Sequence, residues 1–413
     1  MFIPLDTGHI GVRFIYNLIL KPTMKAYRYR IYPSNKQKVR LLNQFKICKE
    51  IYNMLLNENK EFMTISKFDL ISIMVDIKKT CPSYYYQVHS QVLQEVGYRL
   101  HYAFESFFRK LKEKKAGKKI KVGFPRFKSK IRSITYPQFG FKFLNERKLK
   151  VSKIGSIPIV LHRIPRGKAK TMNIKQNRSG QWFASFCCET ETQPVKHPSA
   201  EKIGIDVGIN NFVTLSNGET VDNPKFLIKS KKRIKLLDRR LNRKKKGSAN
   251  RKKAKFRLAR QHLKITNQRS DFLHKLSYRI AKTYSFIIVE NLDINSMVKN
   301  HYLAKSISDA SWGKFIQMLS YKAVNCGGQL VKVNPRGTSK TCSKCGTYVD
   351  MSLSKKIFHC PTCGLVLHRD LNASFNIYDR AGLAQISTPV DDCVRPSLLK
   401  AKVVEAGTIC HYE

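Results

Sequence analysis

Three carboxylates, spaced about eighty positions apart, are the residues best placed to do chemistry in this chain. They are Asp206 in Ile203-Gly204-Ile205-Asp206-Val207-Gly208, Glu290 in Ile287-Ile288-Val289-Glu290-Asn291-Leu292, and Asp370 in His368-Arg369-Asp370-Leu371-Asn372-Ala373. Acid is scarce, with 28 Asp and Glu against 78 Lys and Arg in 413 residues. A chain so poor in acid that ends two apolar runs in carboxylates is using them to hold cations. Convergent carboxylates repel one another unless a divalent ion lies between them. Magnesium is the hard, oxygen-preferring choice that leaves positions open for water and a phosphate oxygen. Two such ions about 3.5–4 Å apart can activate water and stabilise the leaving oxygen of a phosphodiester. Taken singly, Asp206 also reads as a turn cap, Glu290 as an exposed strand end and Asp370 as a helix N-cap. Taken together they read as the Mg2+ ligands and catalytic groups of a metal-dependent nuclease.

Four cysteines stand just before the third carboxylate. Cys342-x-x-Cys345 and Cys360-x-x-Cys363 are two knuckles with 14 residues between them, the spacing of a structural zinc ribbon with four thiolate ligands. A redox dithiol is the alternative, and two paired knuckles argue against it. Gly346 and Gly364 follow the second cysteine of each knuckle, where a tight turn lets backbone amides face the thiolates. His359 and His368 flank the cluster as bystanders. The set has no open position, so the zinc is assigned to folding. The other seven cysteines (Cys48, Cys81, Cys187, Cys188, Cys326, Cys393, Cys410) have no framework spacing; most lie in apolar segments and read as core thiols, which fits a reducing compartment.

The formal charge of +50 makes a polyanion the natural partner, and an apolar fraction of 42% excludes a disordered basic tail. An anionic membrane surface is the rival, but the basic residues are spread along the whole chain and form no amphipathic anchor. The apolar run from Phe14 to Leu20 is far shorter than the roughly 20 residues of a membrane span. With no basic n-region and with Asp6 in the opening, a secretory signal is not expected. The expected location is the cytoplasm, with the nucleoid in a bacterium or archaeon.

The elements that must position these groups follow from periodicity. Residues 25–32 alternate aromatic and basic and end at Pro33, a strand. Ser34 or Asn35 can cap a following helix with Leu42, Phe45, Cys48, Tyr52, Leu55 and Leu56 at helical spacing. A second helix over 90–115 puts Val92, Val96, Leu100, Ala103, Phe107 and Leu111 on one face. Short strands punctuated by Gly and Pro follow over 120–195, with a hairpin across Ser179-Gly180. These describe a small β-rich domain whose first strand is 25–32, with helices 35–115 inserted. Within it, Gly123-Phe124-Pro125-Arg126-Phe127-Lys128 offers a bend, aromatics and cations. Arg126, Phe127 and Lys128 could stack on bases and contact phosphate, or simply form a rigid surface turn. A strand ending in Asp206 pairs with 211–216. Residues 225–275 hold 21 Lys or Arg and two acids, Asp238 and Asp271, in two helices broken at 247–250. Ile234, Leu237, Leu241, Phe256, Ala259 and Leu263 keep helical spacing there. Like charge at that density is self-repelling unless phosphate neutralises it, which marks Arg240, Arg243, Lys252, Lys253, Arg257 and Arg269 as nucleic-acid contacts. A strand at 285–290, a helix near 310–325, a strand at 329–333 and a helix from Asp370 complete an RNase H-like α/β core.

As an ordered set these segments resemble the TnpB family of transposon-encoded proteins, also called OrfB and long described as transposases. The segments are Met24-Lys25-Ala26-Tyr27-Arg28, Gly123 to Lys128, Gly204 to Gly208, Val289 to Leu292, the ribbon, and Arg369 to Ser374, covering residues 24–380. The family is similar to type V CRISPR effectors and to Fanzor proteins. The resemblance implies an RNA-guided DNA endonuclease with a guide RNA made from the transposon end and a double-stranded DNA target beside a short motif. Asp206, Glu290 and Asp370 would be its RuvC carboxylates. It also implies a wedge domain at 24–34 and 118–198 that is barrel-like, carrying a helical recognition lobe at 35–117. The RuvC core at 199–335 would hold a basic insertion at 225–284, with the ribbon at 336–366 and the last RuvC helix at 367–380. Residues 1–23 lie outside the resemblance, as if an upstream start had been chosen, and the tail 381–413 is weakly patterned. Strand transfer by a true transposase, or nucleic-acid binding without catalysis, are the alternative functions.

Overall fold

The computed structural model describes residues 23–58, 66–190, 195–352 and 355–384, so the expectations for the first 22 residues and for most of the tail lie outside the described residues. The chain forms two compact units, 1–192 and 193–413. Among the described residues no helix is long and apolar enough to cross a membrane.

In the first unit, β1 (Thr23–Ile31) alternates as its sequence dictates, burying Tyr27, Tyr29 and Ile31. Four helices follow: α1 (Asn35–Glu58), α2 (Lys67–Thr80), α3 (Pro82–Tyr85) and α4 (Ser90–Lys115). Ser34 Oγ accepts from the Gln37 amide at 3.3 Å and Gln37 Oε1 accepts from the Ser34 amide at 3.0 Å, a reciprocal cap that starts α1. The expected stripe of α1 is buried at Phe45, Cys48, Tyr52, Leu55 and Leu56, but at its start Leu41 is buried and Leu42 exposed. On α4 the stripe drifts likewise, with Phe104 buried while Ala103, Phe107 and Leu111 are half-buried. A straight helix turns 3.6 residues per turn, so contacts spaced by four migrate around it.

Six strands complete this unit: β2 (Ser133–Pro137), β3 (Phe141–Asn145), β4 (Lys148–Val151), β5 (Gly155–Val160), β6 (Lys168–Gln176) and β7 (Trp182–Thr190). With β1 they form one antiparallel sheet ordered β2-β6-β7-β1-β5-β4-β3. β7 and β3 are four strands apart, about 19 Å on a flat sheet. Yet the rings of Phe186 and Phe143 are 4.7 Å apart, so the sheet curls on itself. Helices and sheet share one core, tied by Tyr136 Oη donating to Gln44 Oε1 at 2.6 Å.

The second unit is a five-stranded mixed sheet. Its strands are β8 (Lys202–Val207), β9 (Asn211–Leu215), β10 (Thr220–Asp222), β11 (Phe286–Glu290) and β12 (Gln329–Val333), in the order β10-β9-β8-β11-β12. β8, β11 and β12 run parallel, and β9 is antiparallel to both β8 and β10. This is an RNase H-like arrangement. β11 is buried at all five residues, which explains its unbroken apolar run. Between β10 and β11 stand α5 (Phe226–Asn242) and the 35-residue α6 (Ala249–Thr283). Their turn is closed by Arg251, whose guanidinium donates to the carbonyls of Leu241 at 3.0 Å and Lys244 at 2.8 Å. Then come α7 (Ile294–Met297), α8 (Ala304–Ala310) and α9 (Trp312–Asn325), and, after β12, the hairpin β13 (Ile357–His359) and β14 (Val366–His368) and finally α10 (Arg369–Ala384).

Outside the four-cysteine cluster, Cys48, Cys187 and Cys188 are buried as expected of core thiols. Cys81 is exposed and Cys326 half-buried, because the first sits at the α2–α3 junction and the second at the end of α9.

Candidate active site and thiol cluster

Strand alternation decides which face of the sheet carries the carboxylates. On β8, Ile203 and Ile205 pack with Ile287 and Val289 of β11 into the core beneath α6 and α9. The even-numbered residues of both strands point the other way, toward α10. Phe286 and Ile288 meet Ile377 and Ala381 of that helix. Gly204 lies against it so closely that a Cβ would meet Ser374 O at 2.4 Å and Tyr378 N at 2.8 Å. Asp206 and Glu290 continue these even-numbered rows. The parallel register pairs Ile205 with Val289, which sets Asp206 and Glu290 side by side at the carboxyl ends of adjacent strands. Asp370 is in the first turn of α10. The α10 face of the sheet thus brings the three together.

Their electrostatics show the proximity. The Asp206 carboxyl is raised well above the ordinary range by burial, then by the charges of Glu290 and Asp370, against the opposing pull of Arg369 and the Val207 amide. Glu290 is also raised, by burial, with the Thr338 hydroxyl and Arg380 acting against it. Arg369 Nη2 lies 3.4 Å from Asp370 Oδ1, and the Asp370 amide donates to His368 Nδ1 at 3.3 Å. All three are hard oxygen donors, and the ionised form of Asp206 is disfavoured by burial and by its two neighbours, that of Glu290 by burial, which is the setting a divalent cation relieves. The donor set fits magnesium. Among the described residues the carboxylate oxygens do not all lie within 4.8 Å of one another, as the four thiols do. Like charges separate: Glu290 turns to Thr338 and Asp370 to Arg369.

Thr338 was not anticipated. Its hydroxyl donates to Glu290 Oε1, and it is buried. Asn376 Nδ2 donates to Thr338 O at 2.8 Å and to Thr341 O at 2.6 Å. One turn earlier on the helix, Asn372 Nδ2 donates to Thr341 O at 2.7 Å and its Oδ1 accepts from the Ser343 amide at 2.9 Å. Two buried asparagines thus fasten α10 to the segment that leads from Glu290's partner into the first knuckle. Their spacing of four on a helix was visible in sequence, but their acceptors were not.

The four thiols lie within 4.8 Å of one another, with Cys342–Cys363 at 3.6 Å and Cys345–Cys360 at 3.5 Å between sulfurs. A tetrahedral zinc with bonds of about 2.3 Å would set its sulfurs about 3.8 Å apart, so the cluster fits that ion. The knuckles are near copies: Gly346 N donates to Cys342 O and Gly364 N to Cys360 O, each at 3.0 Å, and both glycines have positive φ. The Thr347 hydroxyl and amide pull the Cys345 thiol down to about 6. Neither His359 nor His368 joins the cluster.

The remaining candidates divide. Arg240 and Arg257 line a cleft of about 410 Å³ between α5 and α6, with Arg233, Arg260 and Lys264. Arg243, Lys252 and Lys253 are exposed around the α5–α6 turn. Arg269 requires correction as an open nucleic-acid contact. Its guanidinium is bonded to buried Asp309 at 2.5 Å, and the other Asp309 oxygen accepts from the Leu227 amide at 3.0 Å, so Arg269 braces α5, α6 and α8. In the first unit, Arg126 and Phe127 are exposed, while Lys128 exchanges backbone bonds with the Asn53 side chain and sets its ammonium 5.3 Å from the Tyr52 ring.

Fold and site define an RNase H-like protein with a thiolate ribbon beside a carboxylate cluster. Residues 185–301 match the profile of the OrfB family of the IS605 type, described as "Probable transposase", residues 312–377 match "Cas12f1-like, TNB domain", and residues 23–63 match a "Helix-turn-helix domain" of the same family. The last of these covers β1 and α1. A protein of Streptomyces pristinaespiralis named "Putative RNA-guided DNA endonuclease" is 34% identical over 92% of this chain and 94% of its own length. An Escherichia coli K12 protein, "Putative RNA-guided DNA endonuclease InsQ", is 30% identical over 86% of this chain and 91% of its own. The chain belongs to the OrfB (TnpB) family. Its fold is similar to that of Cas12f1 in a complex with sgRNA and target DNA (TM-score 0.52, 15% identity, 86% of this chain and 99% of that one). It is similar also to the CRISPR endonuclease CasΦ3 (TM-score 0.53, 12% identity, 93% of this chain and 96% of that one).

Proposed function

We propose that this protein is an RNA-guided, magnesium-dependent DNA endonuclease of a transposon, cutting duplex DNA beside a short flanking motif. The observation that carries the reading is the Asp206–Glu290–Asp370 set on one face of an RNase H-like sheet, where burial and the charges of Glu290 and Asp370 raise the Asp206 carboxyl. The names of the Streptomyces and Escherichia relatives support it. Asp206, Glu290 and Asp370 would hold the ions, which supply when bound an activated water and charge neutralisation at the leaving oxygen. The chain's own residues do the positioning: the Thr338 hydroxyl orients Glu290, and Gly204 lets α10 bring Asp370 against the sheet. Cys342, Cys345, Cys360 and Cys363 would hold zinc as a folding element.

Sequence would be read by base pairing between a guide RNA from the transposon end and the target strand, with the protein gripping backbone and shape. The basic α5–α6 pair suits that grip. In this reading 24–34 and 118–198 form the wedge domain and 35–117 the recognition lobe. The protein purified with its transposon-end RNA should linearise a plasmid carrying the matched target and motif in Mg2+, and Asp206→Ala should abolish cutting. Unchanged cutting by that variant would overturn the site. RNA-directed binding without scission in Mg2+ or Mn2+ would indicate a regulator, and joining of donor ends without RNA would indicate a strand-transfer transposase.

A further inference from the structure

The first unit presents an aromatic ring that its own fold does not use. Phe139, at the tip of the β2–β3 turn, is 86% exposed. Its φ is +71°, a left-handed conformation that a bulky residue adopts only at a cost. The turn is nonetheless well built: Gly140 N donates to Pro137 O at 3.3 Å, and Gly140 O accepts from Ser152 N at 2.9 Å, which binds this tip to the β4–β5 turn. That second turn holds Lys153, also left-handed at φ +63° and exposed. One step into the hairpin, Lys142 and Lys150 are directly opposite on β3 and β4. Like charges in that position destabilise a sheet. Among the described residues no carboxylate pairs with Lys142, Lys150 or Lys153. The inward neighbours Phe141 and Phe143 pack on Phe186, so the core accounts for them and leaves Phe139 out. Strain, repulsion and exposure, all unfavourable to the free protein, coincide at one end of the sheet.

We infer that this tip is a nucleobase-stacking site, with the Phe139 ring as the plate and Lys142, Lys150 and Lys153 taking the flanking phosphates. The ligand is a base with its adjoining phosphates, unpaired or at the end of a helix, since a ring on a turn tip can cover only an exposed base face. An RNA or a DNA strand offers the same chemistry. The inference rests on the proposed nucleic-acid function and goes beyond it in naming the contact.

The test uses the full-length protein with its copurifying RNA exchanged for labelled strands. Phe139→Asn keeps a residue that tolerates the left-handed backbone and removes the ring, so its melting temperature should equal or exceed that of the wild type. Its affinity for the strand that occupies the site should fall roughly 5- to 150-fold, the range for loss of one stacked base. Phe139→Trp should keep the wild-type affinity. Photocrosslinks from 5-iodouracil placed in the RNA in one arm and the DNA in the other should map to residue 139 in one of them, which identifies the source. Equal affinity of Phe139→Asn and wild type for every strand, with no crosslink at 139, overturns the inference and leaves the nuclease reading standing. A wild-type protein that binds no nucleic acid overturns both.

Discussion

Replacing Gly204 by alanine perturbs the site through one methyl group. The added Cβ would meet Ser374 O at 2.4 Å, Tyr378 N at 2.8 Å and Tyr378 Cβ at 2.9 Å, all on α10 and mostly backbone. Comfortable contacts begin near 3.5 Å, so helix and strand must part by about 1 Å. Overpacking of this kind costs about 1–3 kcal/mol. For a unit of this size that lowers the melting temperature by roughly 2–12 °C. The larger effect is on chemistry. Gly204 is two residues from Asp206, and α10 bears Asp370, so the parting changes the spacing of two of the three carboxylates. A misplacement near 1 Å can cost about 100-fold in rate. Thermal melting by circular dichroism and plasmid cleavage with saturating guide RNA measure the two effects on one preparation. Gly313→Ala is the control, because its Cβ would meet only the Ile294 Cδ1 methyl, at 3.3 Å, and it lies within α9. There alanine should be neutral or stabilising by up to about 1 kcal/mol. Wild-type melting and cleavage in Gly204→Ala would refute the close approach of α10 to β8.

Other outcomes follow from the same geometry. Thr338→Val removes the donor to a buried carboxylate, at a cost of about 1.5–3 kcal/mol; it should change the Mg2+ concentration that half-saturates the metal-induced rise in melting temperature, and Thr338→Ser should restore it. The raised Asp206 carboxyl makes its ionisation oppose folding: the penalty is absent below the ordinary Asp range and complete once the pH exceeds the raised value. In chelator, Asp206→Asn should therefore melt above wild type at neutral pH, the two converging in acid, and equal curves throughout would contradict the strain. Cys360→Ser should release zinc and lower the melting temperature, since lost ligation is lost folding free energy; full metal content in that variant would count against the ribbon.

The parts of the site that follow from local chain pattern could be read in advance. β8 and β11 are apolar runs closing on acids, and two buried parallel strands can hardly be written otherwise. The break between the basic helices was visible in Gly247-Ser248-Ala249-Asn250, and the structure starts α6 at Ala249. What could not be read were partners brought together by topology. Thr338 is 48 residues from Glu290 and lies in an ordinary polar stretch. Arg269 looks like its neighbours in a basic run until Asp309, 40 residues later, is folded against it. On α1 only the first position of the stripe was misread, because Leu41 and Leu42 are chemically alike and only the packed core distinguishes them.

The placement of Asp370 at the head of the last described helix has a consequence for the order in which the molecule comes to exist. A chain emerging from the ribosome presents its curled sheet, its basic helices and both knuckles before α10 has been made. Every surface suited to holding nucleic acid can therefore form while the third carboxylate, and the asparagines that clamp its helix, are still being translated. In the nuclease reading proposed above, reactivity comes last, as a closing step of synthesis: a nascent or prematurely ended chain could hold a polyanion but would lack the third carboxylate of the proposed metal site.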